Sequence, residues 1–125
     1  MIYKYSLSDL EVMAIEYANM VKTPPFTFLL YGDLGSGKTT FTQFFINRLL
    51  INKTDVVTSP TFNMVQIYET IKGGIWHADL YRVKNKTELE ELGLIEAMHS
   101  NICIIEWPKI IEPYIKNCKN KIINF

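Results

Sequence analysis

The sequence lacks any apolar run approaching the roughly 18 residues that a membrane span requires. Its first residues, Met1-Ile2-Tyr3-Lys4-Tyr5, show no hydrophobic signal segment. A cytoplasmic protein with no membrane contact is therefore expected. Excess charge is also absent: thirteen basic residues balance thirteen acidic ones. That removes the electrostatic drive for tight, nonspecific nucleic-acid binding. Cysteine is scarce, and Cys103 and Cys118 have neither metal nor redox spacing. Cys103 falls in an apolar run and reads as a small core residue. Arginine is scarcer still among the basic residues, limited to Arg48 and Arg82. An arginine kept in so lysine-rich a chain points to a need for its planar guanidinium. No linker, repeat or low-complexity tract breaks the sequence, so residues 1–125 are expected to form a single domain.

What is present is an ordinary globular balance, 48% hydrophobic and 21% charged. Within it lies one concentrated signal, Gly32-Asp33-Leu34-Gly35-Ser36-Gly37-Lys38-Thr39, followed by Thr40. It fits G-x-x-x-x-G-K-[ST], the phosphate-binding loop called Walker A. The preceding Phe26–Tyr31 reads as a buried strand and the following residues as a helix, which is the context the motif needs. A phosphate chain requires many donors converging from a tight curve; backbone N–H groups supply them, and glycine permits the curve. The helix start adds unpaired N–H groups and the positive end of its dipole. Lys38 brings a full charge to the outer phosphates, and the Thr39 hydroxyl suits Mg²⁺. A plain glycine turn would explain the glycines but not Lys38 and Thr39 together.

Around this loop the pattern predicts alternating helices and strands. Ile2–Tyr5 is expected as an edge strand. Ser8 with Glu11 reads as a capping box opening a helix that runs to Val21. Phe41, Phe44, Phe45 and Leu49 form the apolar face of the loop helix. Val56-Val57 begins a strand, residues 62–69 and 75–80 pair as a hairpin around Gly73-Gly74, and Thr87 with Glu90 caps a short helix ending at Gly93. Ile102-Cys103-Ile104-Ile105 is uninterruptedly apolar, as in a parallel strand buried on both faces. A short helix over 108–114 and a last strand over 122–125 follow.

Glu106 directly follows that run, at the C-terminal strand edge where α/β sheets bind ligands. It reads as the second acid of a phosphate site. Asp79, in Trp76-His77-Ala78-Asp79-Leu80-Tyr81-Arg82, is equally readable as a site acid or as a partner of Arg82. Thr61 follows Pro60 in a loop; by composition it reads as a turn threonine. His77 is a weak site candidate, since a lone strand histidine is usually structural, and Trp107 reads as packing or as a neighbour of the nucleotide. Asn52-Lys53-Thr54-Asp55 matches the guanine-reading N-K-x-D pattern, but it follows the loop helix directly, whereas that motif belongs at the end of a later strand; chance explains it better.

Taken together, the segments Tyr31–Thr40, Ser59-Pro60-Thr61-Phe62, His77–Arg82, Glu88–Gly93 and Ile104-Ile105-Glu106-Trp107-Pro108 resemble the bacterial TsaE (YjeE) family in order and spacing. The resemblance runs from about Ser8 to Pro108. It implies a three-layer αβα P-loop NTPase fold with a mostly parallel sheet and an antiparallel hairpin. It further implies a Mg²⁺-dependent ATPase serving threonylcarbamoyladenosine formation on tRNA, with ATP and Mg²⁺ as cofactors. TsaB and TsaD are the implied partners, with TsaC in the same pathway and tRNA met only indirectly. On the matching positions, residues Gly32 to Thr40 hold the nucleotide, Thr39, Thr61 and Glu106 serve the metal, and Lys38, Asp79 and Glu106 are catalytic. Which acid positions water stays open. No arginine finger stands out except Arg82, so slow hydrolysis by the isolated chain is expected. A small-molecule kinase and a non-hydrolytic docking module are the rival readings.

Overall fold

Side-chain alternation decides what the two faces of the sheet meet. The structure is a computed structural model and describes residues 4–60 and 64–125. Strand β1 (Phe26–Tyr31) is buried on both faces through its middle, and β4 (Ile102–Glu106) along its whole length. Between them in sequence lie β2 (Val65–Thr70) and β3 (Gly73–Asp79), and β5 (Asn120–Asn124) closes the set. The five-stranded sheet has the order β2-β3-β4-β1-β5. β1 pairs in parallel with β4 and β5, β3 pairs in parallel with β4, and only β2 runs antiparallel, against β3. The sheet is therefore mostly parallel with one hairpin.

One face carries Phe28, Leu30, Ile75, Ile102, Ile104 and Ile123. Helices α1 (Leu7–Met20) and α2 (Lys38–Leu49) cover it. Aromatic rings weld this layer: Phe28 meets Phe45 edge-on at 5.2 Å, and Tyr17 meets Phe28 at 5.7 Å. Fully burying one such side chain is worth about 1.5–3 kcal/mol. The other face carries Leu29, Ala78, Cys103 and Ile105. It is covered by α3 (Lys86–Glu91), α4 (Leu94–Ala97) and a 3₁₀ helix (Pro108–Tyr114). These are the three layers. Cys103 is a buried free thiol whose pKa burial pushes up to about 12, consistent with a packing role. No described helix is long and apolar enough to cross a membrane.

Several boundaries differ from expectation. The N-cap of α1 is Ser6, not Ser8: its hydroxyl accepts the Asp9 N–H and the Asp9 carboxylate accepts the Ser6 N–H. Two S-x-x-acid patterns overlap there, and the earlier one adds half a turn. Likewise α3 is capped by Asn85, whose side chain accepts the Glu88 N–H, rather than by Thr87; Asn is the better cap. The hairpin turn is shorter than expected, with Thr70 already opposite Gly73. Val56-Val57 forms no strand. Gln43 donates to the Val57 carbonyl at 3.1 Å and the Tyr68 hydroxyl accepts the Thr58 N–H at 3.2 Å, so side chains satisfy that backbone instead. Lys4 and Tyr5 form no strand, and residues 2 and 3 of the expected edge strand lie outside the described residues.

The register places the chemistry. Leu30 of β1 and Asp79 of β3 both stand level with Glu106 of β4. The loop after β1, Asp79 and Glu106 thus share the C-terminal edge. Because side chains alternate, His77 and Asp79 project to the same face as Glu106, the face that α2 covers.

Candidate active site

The loop between β1 and α2 is shaped by glycine where nothing else fits. Gly37 adopts φ 107° as the N-cap of α2, and a Cβ there would stand 2.9 Å from Leu10 Cδ1 of α1. A Cβ on Gly32, at φ 154°, would stand 2.6 Å from Ser36 Oγ. Among the described residues no side chain caps α2. Among the described residues, the amides of Gly35, Gly37, Lys38 and Thr39 have no backbone acceptor. The loop is a curved set of unspent donors at a helix N-terminus, the arrangement that binds anions.

Lys38 is only 4% exposed. Its ammonium donates to the carbonyls of Gly32 at 2.6 Å and Asp33 at 2.9 Å, and lies 4.4 Å from the centre of the Trp107 ring. Burial lowers its pKa, while the charges of Glu106, Asp79 and Asp33 act in the opposite direction. Trp107 takes φ 55°, a left-handed conformation that costs a bulky residue energy, and its ring packs 4.9 Å from Tyr81.

Glu106 is 2% exposed and uses both carboxylate oxygens. Oε1 accepts the Thr39 hydroxyl at 2.9 Å, and Oε2 lies 2.6 Å from His77 Nε2. Asp79 is half-buried at the cleft wall, and its Oδ1 accepts the Tyr81 N–H at 3.0 Å. Burial raises its pKa; the Tyr81 amide opposes that rise and the Glu106 charge adds to it. Arg82 is exposed, and the ion pairs among the described residues, His77–Glu106 and Lys86–Glu90, do not include it. Asp79 is therefore a cleft acid and not a partner for Arg82.

These groups enclose a cleft of about 460 Å³ whose lining includes Leu34 to Thr40, Asp79, Glu106 and Trp107. Of the expected site residues, Leu34, Gly35, Ser36, Gly37, Lys38, Thr39, Thr40, Asp79 and Glu106 all meet there. Gly32 and Asp33 stand outside it; their carbonyls steady Lys38, and they line a neighbouring pocket of about 350 Å³. Thr61 lies outside the described residues. Sequence reasoning misses Tyr5, Leu10 and Ser59 in the cleft wall and makes His77 only a weak site candidate. Strand alternation from Asp79 to His77 was the signal available for the histidine.

A family model described as "Threonylcarbamoyl adenosine biosynthesis protein TsaE" matches residues 5–124. Curated relatives bear the name "tRNA threonylcarbamoyladenosine biosynthesis protein TsaE". The one from Rickettsia prowazekii (strain Madrid E) is 48% identical over 84 residues, which cover 67% of this chain and 58% of the relative. That from Bacillus subtilis (strain 168) is 39% identical over 95 residues, covering 75% and 58%. That from Aquifex aeolicus (strain VF5) is 36% identical over 108 residues, covering 86% and 76%. The chain thus spans 58% of the length of the Rickettsia and Bacillus relatives.

Proposed function

This chain belongs to the TsaE family, and from that premise we propose that it is the ATP-hydrolysing component of tRNA threonylcarbamoyladenosine formation, acting with TsaB and TsaD. TsaC belongs to the same pathway, and tRNA is met only through the partners. The observation that carries the ATPase reading is the convergence of unspent loop amides, the Lys38 ammonium and the Thr39–Glu106 oxygen pair on one cleft. The sheet with both faces covered supports reading residues 1–125 as a single P-loop domain.

The donor set fits Mg²⁺. Thr39 Oγ1 and Glu106 Oε1 are hard oxygens 2.9 Å apart at the end of the loop. Among the described residues no three His, Cys, Asp or Glu side chains gather as a metal cage. That suits an ion that keeps water and phosphate oxygens as most of its ligands. Thr39 and Glu106 would hold it, directly or through water, with Thr61 as the further ligand the family resemblance implies. Bound there, Mg²⁺ neutralises phosphate charge.

In hydrolysis a water oxygen attacks the γ-phosphorus, the bond to the β,γ-bridging oxygen breaks, and ADP and inorganic phosphate leave. The loop amides and Lys38 stabilise the phosphoryl oxygens, and the reaction is mainly one of positioning and charge. Glu106 already engages both its oxygens, whereas Asp79 has one oxygen in its Tyr81 bond and the other without a hydrogen bond among the described residues. That supports Asp79 as the acid that orients the water. With no arginine among the described residues lining the cleft, the isolated chain should turn over slowly; a supplied finger is typically worth about 10³–10⁵ in rate.

A phosphate-release assay with ATP and GTP, with and without TsaB–TsaD, tests the proposal. Slow release from ATP that the partners accelerate, abolished in Lys38→Ala, is expected. Transfer of phosphate to a metabolite without free phosphate would favour a kinase. Binding and assembly that survive both Asp79→Ala and Glu106→Ala with function intact would favour a docking module.

A further inference from the structure

His77 has no exposed surface, yet it is not an ordinary core residue. It lies on the β3 face that also carries Ile75, opposite Ile104 of β4, where apolar side chains fill the layer. Its Nδ1 is buried without a partner among the described residues. An aliphatic side chain in its place would bury no unsatisfied nitrogen. The compensation stands at the other ring nitrogen, 2.6 Å from Glu106 Oε2.

We propose that His77 is a positioning residue, anchoring one oxygen of Glu106 inside the protein so that the other stays turned to Thr39 and the cleft. This rests on the Mg²⁺–ATP reading given above. Glu106 reaches the site through a flexible side chain, and its Oε1 is useful to a cation only if it stays beside Thr39 Oγ1. Among the described residues, His77 is what holds the far oxygen. The line Thr39–Glu106–His77 runs from the helix start, across β4, into β3, so the cleft acid is clamped from two separate elements. Groups that hold a metal-binding carboxylate from behind typically change metal affinity or activity by about 10–100-fold when removed.

The test compares His77→Gln, whose amide nitrogen reaches about as far as the imidazole Nε2, with His77→Asn, whose shorter amide does not. Affinity for a non-hydrolysable ATP analogue is measured by calorimetry in Mg²⁺ and in EDTA, together with melting temperature. The parent should bind more tightly in Mg²⁺. His77→Asn should lose most of that gain, about tenfold or more where the parent's gain is that large, while keeping its EDTA affinity; His77→Gln should keep most of it. Two results would overturn the role. One is both variants retaining the parent's Mg²⁺ gain. The other is both losing EDTA affinity and melting temperature in step with Mg²⁺ affinity, as a purely structural histidine would dictate. A parent that gains nothing from Mg²⁺ would bring down the Mg²⁺–ATP reading itself, and the His77 role with it.

Discussion

Two polar loops flank α2, and they spend their polar groups in opposite ways. Before the helix, Gly35 and Gly37 line a cleft with amides that meet no backbone acceptor among the described residues, and Lys38 is held by the Gly32 and Asp33 carbonyls, the Ser36 hydroxyl and the Trp107 ring. After the helix, residues 51–55 consume theirs locally. The Lys53 ammonium donates to the carbonyls of Asn47 and Arg48 at 3.0 and 3.1 Å, closing the C-terminal end of α2. Asn52 Oδ1 accepts the Thr54 N–H and hydroxyl at 3.0 and 2.7 Å. Both stretches match nucleotide motifs as strings of letters. What separates them is whether donors remain for a ligand once the backbone has been satisfied.

That contrast can be broken or sharpened by substitution. The largest effect should come from Asp79→Asn, the acid that shares the cleft with the first loop. Turnover is expected to fall by about 10²–10⁴-fold with nucleotide affinity kept, measured by phosphate release beside calorimetry. The same variant should be more thermostable at neutral pH. Asp79's folded-state pKa is raised, mainly by burial, so the fold disfavours its ionised form. The stability gain from Asn should be full at pH values above the raised pKa. It should fade as pH falls through that value towards the ordinary 3.8. Lys38→Ala should weaken ATP binding by about 10–100-fold, the scale of lost charge-assisted hydrogen bonds, whereas Lys53→Ala should leave binding unchanged.

Gly37→Ala should cost about 1–3 kcal/mol in urea unfolding, from backbone strain together with overlap on Leu10. Adding Leu10→Ala should relieve the overlap but not the strain. Smallest of all, Lys53→Ala should cost about 0.3–1 kcal/mol, the range for a cation at a helix C-terminus. Asp55→Ala should leave the ratio of ATP to GTP affinity unaltered. A shift of that ratio would show that the second loop reads the base after all.

Much of this is legible in the sequence. β1 is an apolar stretch broken only by Thr27, β4 is continuously apolar up to Glu106, and a proline pair and a glycine loop bound β1, so such strands announce themselves. Glu106 was placed by that run alone. The misplaced features share a cause, since each depended on a choice between nearly equal local options. Ser6 or Ser8, and Asn85 or Thr87, both offer a hydroxyl or amide three residues before an acid, and in each case the earlier residue is the cap. Val56-Val57 has the right residue type for a strand, but side chains of Gln43 and Tyr68, rather than a strand backbone, bond the chain there. His77 was underestimated because a lone histidine has no pattern of its own; its meaning appears only when β3 and β4 align and set it beneath Glu106.

The sheet order carries a consequence for how the protein comes into being. β1, which delivers the glycine loop, has as neighbours β4 and β5, both made late in the chain. On the ribosome the complete Gly32–Thr39 motif emerges while both flanks of its strand are still unsynthesised. At about 5–20 residues per second, several seconds pass before Ile102–Glu106 exists to pair with it. A nascent chain bearing the whole motif is therefore expected to have no phosphate site until β4 and β5 have been made.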